Sequence, residues 1–204
     1  MAQGSFLVRC LVALLIGVAG GVHAQSGPAL DQIRAQGKLV LAHRESAVPF
    51  SYVDDQKKPQ GYALDICRRL AGAVQQKLGL ARLAVEHVLV TPANRIDMVA
   101  QGKAHMECGS TTNNAARREQ VAFTIPHFIT GARLLVKADS PVDRLDHPAL
   151  KTVVSTRNTT PLAALRRLDL ERFLRLRILE ADDHQQAVTL VESGAADAFA
   201  MDDV

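Results

Sequence analysis

Apolar and polar positions along this chain follow two periods, and the period switches repeatedly. Residues 38–44 (KLVLAHR) form a short β-branched and apolar run that predicts a strand. Over 62–78, Leu64, Cys67, Leu70, Ala71, Val74 and Leu78 recur at three- and four-residue spacing. That is the period of one helix face, and Gly79 follows as a stop. Residues 83–90 alternate as a strand does, 94–101 predict a short helix closed by Gly102, and 104–108 predict a strand. Pro126 marks 123–129 as a loop, and 132–137 (ARLLVK) predict a further strand. A second series follows, with strands at 152–155, 176–180 and 196–201 and helices at 160–170 and 184–192, the latter stopped by Gly194.

Strands that alternate with helices imply parallel pairing and an α/β fold. Two such series, joined near 130–137, predict two lobes, 25–131 and 132–204, with a cleft between them. In open parallel sheets ligands sit beyond the carboxyl ends of the strands. Several predicted strand ends carry polar groups: Arg44, residues 91–95, residues 109–114 and Asp202.

The N-terminus changes the picture of the compartment. Residues 1–24 carry one charge, Arg9, then an apolar run from residue 10 to 19, and Val22-His23-Ala24 presents small residues where a signal peptidase reads. This pattern predicts a secretory signal cleaved after Ala24. The apolar run is too short to span a bilayer, and Cys10 is not at the cleavage site, so no lipoprotein anchor is expected. The exported part is long enough for a substantial core. A hydrophobic fraction of 48% and a charged fraction of 22% are those of a globular protein. The net charge is +3, one unit of it from Arg9, so the exported chain is close to neutral. Scattered basic residues and 4% aromatics give nucleic-acid binding no support. Cys67 and Cys108 remain after export, which permits a disulfide. Cys67 lies on a helical apolar stripe and Cys108 ends a strand, and a pair at this separation does not establish a bridge. The state of the pair is left open.

The candidate chemistry is that of an anion site. An arginine offers a planar fork of donors to a carboxylate, and Arg44, Arg95 and Arg117 all fall at predicted strand or helix ends. Asn94 is placed as the cap of the short helix, with Arg95 in its first turn, where a cation opposes the helix dipole. Ser110, Thr111 and Thr112 offer hydroxyls and backbone N–H groups ahead of a helical turn that carries Arg117 and Arg118. The run 156–160 (TRNTT) precedes Pro161, so Thr160 is placed as an N-cap and its helix start as an anion site. His184 follows Asp182-Asp183 at a strand-to-helix join. Of the adjacent acids Asp202 and Asp203, strand geometry lets only one face a cleft. Three arginines, two hydroxyl clusters, one histidine and one acid suit a zwitterion with an additional negative group.

The runs HRESAVPFSY (43–52), GY-x-x-D-I (61–66), NRI (94–96), ECGSTTNN (107–114), R-x-x-x-x-AFT (117–124), DDH (182–184) and ESG…AFAMDD (192–203) resemble the bacterial extracellular solute-binding proteins of the polar amino acid family. Within it they are similar to the periplasmic glutamate/aspartate-binding type that serves ABC transporters. The resemblance covers nearly all of residues 29–204. It implies a two-lobe, type II periplasmic-binding fold that closes on a free amino acid, with no catalysis, cofactor or metal. It also implies a monomer in the periplasm and a membrane permease as partner. Carried over motif by motif, Arg117 clamps the α-carboxylate with Thr112 and the helix start at Thr160. Asp202, aided by Ser110, takes the α-ammonium. Arg44 and Arg95 hold the side-chain carboxylate, with His184 nearby.

Three departures stand out against that family. Pro92 occupies a position where serine is expected, and Arg157-Asn158 replace smaller residues, often glycine. Asparagine tolerates the left-handed region, so that turn is expected to survive. The family continues past the MDD motif and returns to the first lobe, whereas this sequence stops at Val204. A truncated product with impaired binding and exposed apolar surface on the first lobe is the corresponding expectation. Two further readings are weighed. A dehydratase-like enzyme on the same fold needs His184 or Glu107 as general acid or base, and neither has an evident orienting partner in the sequence. A receptor sensing module of this fold is normally fused to a membrane span, and no stretch after the signal is apolar enough for one.

Overall fold

The computed structural model describes residues 27–204. The predicted signal, 1–24, lies outside the described residues. Sixteen elements follow in order, α1 (Pro28–Gln36), β1 (Lys38–His43), β2 (Ser46–Ala47), β3 (Ser51–Val53), β4 (Pro59–Gln60), α2 (Tyr62–Lys77), β5 (Ala84–Leu89), α3 (Arg95–Ala100), β6 (Met106–Glu107), α4 (Ala115–Arg118), β7 (Ala132–Val136), β8 (Thr152–Thr156), α5 (Thr160–Arg172), β9 (Arg177–Ala181), α6 (His184–Glu192) and β10 (Ala198–Asp202). The predicted series matches these to within a few residues. The sequence reading missed α1 and the small antiparallel sheet β2-β3-β4, whose strands are too short to show a period.

The first main sheet has the order β5-β1-β6, with both pairings parallel. Its central strand, β1, is flanked on both sides and covered on both faces, which is why it reads as a nearly unbroken apolar run. Leu39 and Leu41 pack with Leu64, Cys67, Ala71 and Leu78 of the α2 segment, while Ala42 faces Val90 and Ala104 on the other side. Each fully buried leucine contributes roughly 1.5–3 kcal/mol. The second main sheet has the order β7-β10-β8-β9 and is parallel except for β7. Strand periodicity shows in its core: Val153 and Ala198 face one cluster, Val154 and Phe199 the other.

Two local devices set the loop that follows β1. Arg44 N–H donates to Ser51 Oγ at 2.9 Å. Gly61, at φ +127°, passes so close to Phe50 that a Cβ there would collide with the Phe50 carbonyl. Only glycine lets Tyr62 N–H and Ala63 N–H reach the Pro49 and Phe50 carbonyls, at 3.0 and 2.9 Å.

One open question is decided here and one expectation corrected. Cys67 and Cys108 form a disulfide, with Cα atoms 6.2 Å apart. Pairing of β6 beside β1, with α2 laid across them, brings the two cysteines together, and neither interaction is visible in their sequence spacing of 41. Leu70, placed on the buried stripe of α2, is 37% exposed. It borders an open groove of about 630 Å³ between α2, β6, the loop 121–130 and the start of α5. Ile125 and Ile129 on that loop are 86% and 91% exposed, so apolar surface is open on this lobe as expected. Among the described residues, no helix is long and apolar enough to cross a membrane.

Candidate functional site

The carboxyl ends of β1, β6, β8 and β10 point at one place. Arg44 directly follows β1, and Ser110 and Thr112 follow β6. Arg95 opens α3, Arg117 sits in α4, Thr160 opens α5, His184 opens α6, and Asp202 closes β10. Seven of these eight predicted residues (all but Arg117) line one small cavity of about 10 Å³, the room of a single water molecule. Arg117 reaches across beside it. Its guanidinium donates to the Thr112 carbonyl at 2.9 Å and to the Asn158 carbonyl at 3.3 Å. Thr112 Oγ1 and Thr160 Oγ1 are 3.0 Å apart. The loop after β6 and the start of α5 therefore touch directly at the small cavity, which open pockets of about 380 and 630 Å³ flank.

The arginines are held in an unusual state. Arg44 and Arg95 are 1% and 3% exposed. Arg44 Nη1 and Arg95 Nε are buried without a hydrogen-bond partner. Buried donors left unpaired cost free energy, and charged ones most. Burial pulls the Arg95 guanidinium down to about 10; nearby Glu107 opposes that shift, and Arg44 and Arg117 add to it. Burial likewise lowers Arg44 and Arg117, again against the charge of Glu107. Asp202 is pushed up by burial, while Arg95 and Arg117 pull it down. Its neighbour Asp203 pairs with Arg133 at 3.0 Å. Unpaired guanidinium donors around a narrow cavity suit planar anions, and the half-buried Asp202 that lines it suits a cation. Among the described residues no group of three metal-ligating side chains occurs.

A profile of the bacterial extracellular solute-binding proteins, family 3, matches residues 39–199. The chain belongs to that family. It is 42% identical over 198 residues to the glutamate/aspartate import solute-binding protein of Salmonella typhimurium, covering 93% of this chain and 65% of that protein. It is 36% identical over 200 residues to the L-glutamate/L-aspartate-binding protein of Pseudomonas aeruginosa, covering 98% of this chain and 66% of that one. The chain thus spans just under two thirds of the length of both relatives. Among solved structures it resembles an ancestral amino acid-binding protein, a precursor of cyclohexadienyl dehydratase, with a TM-score of 0.73 and 26% identity. That likeness covers 85% of this chain and 73% of the other. The solved relative supports the type II fold.

Local geometry corrects one assignment in this family 3 chain and refines another. The cap of α5 is Thr159, not Thr160; its hydroxyl accepts from Leu162 N–H and donates to the Thr156 carbonyl. Thr160 occupies the first helical position, which leaves its hydroxyl free to meet Thr112. Asn94 occupies the N-cap position of α3 as expected, but its side chain makes no capping bond. Its Oδ1 accepts from Thr91 N–H at 2.8 Å, a backward turn that Asn forms readily. Pro92 is buried inside that turn. Asn158 adopts φ +57°, as expected of a residue in a glycine position. Arg157 points outward and pairs with Glu180 and Asp182 at 3.2 and 2.8 Å, away from the cavity.

Thr156 and Glu107 belong with this site; sequence reasoning placed neither among the ligand-binding residues and weighed Glu107 only as the acid or base of a dehydratase-like enzyme. Thr156 is fully buried at the end of β8, with Oγ1 2.7 Å from His184 Nδ1. Its run TRNTT was visible, but which threonine faces inward is decided by the strand. Burial, then the positive Arg44 and Arg95, hold His184 down to about 4, against an ordinary 6.5. Between those values the unfolded chain binds the proton and the folded chain does not. Stability is therefore full above about 6.5 and falls as pH drops toward 4, by at most about 3 kcal/mol. A His184→Gln chain should show a correspondingly flatter dependence of its urea midpoint on pH. Identical slopes in the two chains would remove His184 as the cause.

Proposed function

We propose that this protein is the periplasmic substrate-binding protein of an ABC-type amino acid importer, exported by a cleavable signal and acting as a monomer without catalysis. Its ligand is L-glutamate or L-aspartate, held between lobes 25–131 and 132–204. The observation that carries this reading is the convergence of Arg44, Arg95 and Arg117 on a cavity shared with Asp202, with two buried guanidinium donors unpaired. Arg117, Thr112 and the start of α5 take the α-carboxylate. Asp202 and Ser110 take the ammonium, which gives the half-buried acid a direct ionic partner. Arg44 and Arg95, beside His184, take the second carboxylate. A neutral or basic side chain would leave those two arginines unpaired.

A cavity of about 10 Å³ holds no amino acid. Ligand entry therefore parts the Thr112–Thr160 and Arg117–Asn158 contacts by a hinge motion, and the ligand replaces them on closure. The permease reads the closed state.

The test is a thermal melt of the chain purified from the periplasm, with and without millimolar L-glutamate or L-aspartate. Binding to the folded state adds about 2.7 kcal/mol at a hundredfold excess over Kd. A cooperative transition that rises with either ligand is the expected result. A cooperative transition that neither ligand moves overturns the assignment and leaves a product with impaired binding.

The resemblance to a dehydratase precursor motivates a second reading as an enzyme. A base pulled down to about 4, as His184 is, has little drive to accept a proton near neutral pH. Turnover of prephenate or arogenate by the purified chain would favour the enzyme instead.

A further inference from the structure

Glu107 is a charged group of this site to which the binding reading gives no role. It lies on β6 opposite Ala42 of β1, two residues before Arg44. Its Oε1 is buried and accepts no hydrogen bond. It does not line the small cavity. It faces the adjoining groove, which Arg95, Ser110 and Asp202 also border. Gly109 makes room for it: a Cβ at Gly109 would collide with Glu107 Oε1 and stand 3.2 Å from Arg44 Cγ. The carboxylate and the stem of Arg44 thus both border Gly109, at the start of the loop that carries Ser110 and Thr112.

The other charges near the cavity are already engaged or neutral. Asp203 pairs with Arg133, and Asp183 caps α6 by accepting from Gln186 N–H at 2.8 Å. His184 is neutral near pH 7. Asp202 lines the cavity itself and partners the ammonium in the reading above, which leaves Glu107 as the remaining acid near the three guanidinium groups, with its buried oxygen unpaired. After burial, which lowers all three arginines, the charge of Glu107 is the strongest influence on each and favours the protonated form.

We propose that Glu107 is a specificity-determining residue: a fixed counter-charge behind the arginines that favours ligands carrying an ammonium with their two carboxylates over dicarboxylates that lack it. The proposal rests on the acidic amino acid reading above. A fixed negative charge acts on each ligand charge by Coulomb's law, so it disfavours a dianion about twice as strongly as a net monoanion. Glu107 and Asp202 together hold the pocket's positive charge to what one net negative charge can satisfy.

The test is isothermal titration of L-glutamate and of glutarate, its counterpart without the ammonium, into the wild type, Glu107→Gln, Glu107→Asp and Gly109→Ala. Melts of the same chains check folding. The wild type should prefer L-glutamate. In Glu107→Gln the ratio of glutarate Kd to L-glutamate Kd should fall at least about tenfold, which is roughly 1.4 kcal/mol. Glu107→Asp should keep most of the wild-type ratio. Gly109→Ala, which displaces the carboxylate, should move it the same way as Glu107→Gln and stands in if that chain does not fold. Equal weakening of both ligands would make Glu107 a structural residue and overturn the proposal alone. Failure of the wild type to bind L-glutamate would overturn the underlying reading as well.

Discussion

An Arg117→Ala chain should keep its cooperative melt and lose nearly all stabilisation by L-glutamate. Arg117 is half-buried in α4, and its own hydrogen bonds go to two backbone carbonyls, Thr112 and Asn158. Both carbonyls can turn to solvent, so the free protein tolerates the loss. The ligand cannot: a carboxylate drawn into a closed cleft without its guanidinium partner is an uncompensated buried charge. Truncating one side of such a pair costs about 3–5 kcal/mol. At about 1.4 kcal/mol per tenfold, that weakens binding by roughly two to three and a half orders of magnitude. Arg118→Ala is the control. Arg118 donates to Asn113 Oδ1 at 2.7 Å on the exposed side of the same short helix. Titration calorimetry on both chains decides the matter, and equal affinities for Arg117→Ala and wild type would remove Arg117 from the clamp.

Reduction of the Cys67–Cys108 bridge should lower stability by about 4 kcal/mol, the chain entropy released by a loop of this length. The bridge joins α2 to the end of β6 directly before the loop of Gly109, Ser110 and Thr112. Its loss should therefore loosen that loop as well as the core. Urea unfolding with and without dithiothreitol measures the effect. A Cys67→Ala/Cys108→Ala chain should match the reduced protein and ignore the reductant, since alanine leaves no buried hydroxyl to satisfy. Coincident curves for oxidised and reduced wild type would contradict this.

The order and type of the long elements were legible because their periods are local. β1 is apolar throughout because it is central, and α2 repeats at three and four because one face is buried. The rule that ligands sit beyond strand ends then picked out Arg44, Ser110, Thr112 and Asp202 without any contact being known. Short elements escaped. β2, β3 and β4 span two or three residues each, below the length at which a period exists.

Cap identities and partners were not legible, since they depend on which neighbour a side chain meets. Thr159 and Thr160 are chemically the same, and only the strand-to-helix geometry makes one a cap and turns the other toward Thr112. Asn94 sits at the N-cap of α3, yet its side chain accepts from Thr91 N–H. The disulfide, the burial of Glu107 Oε1 and the lowering of His184 all arise from segments far apart in sequence. Composition and period settle which face of a long element turns inward, because the preference for burial belongs to each residue alone, though single positions such as Leu70 depart from it. Pairing, charge state and closure belong to pairs of residues, so they become definite only when β1, β6, β8 and β10 set their ends side by side.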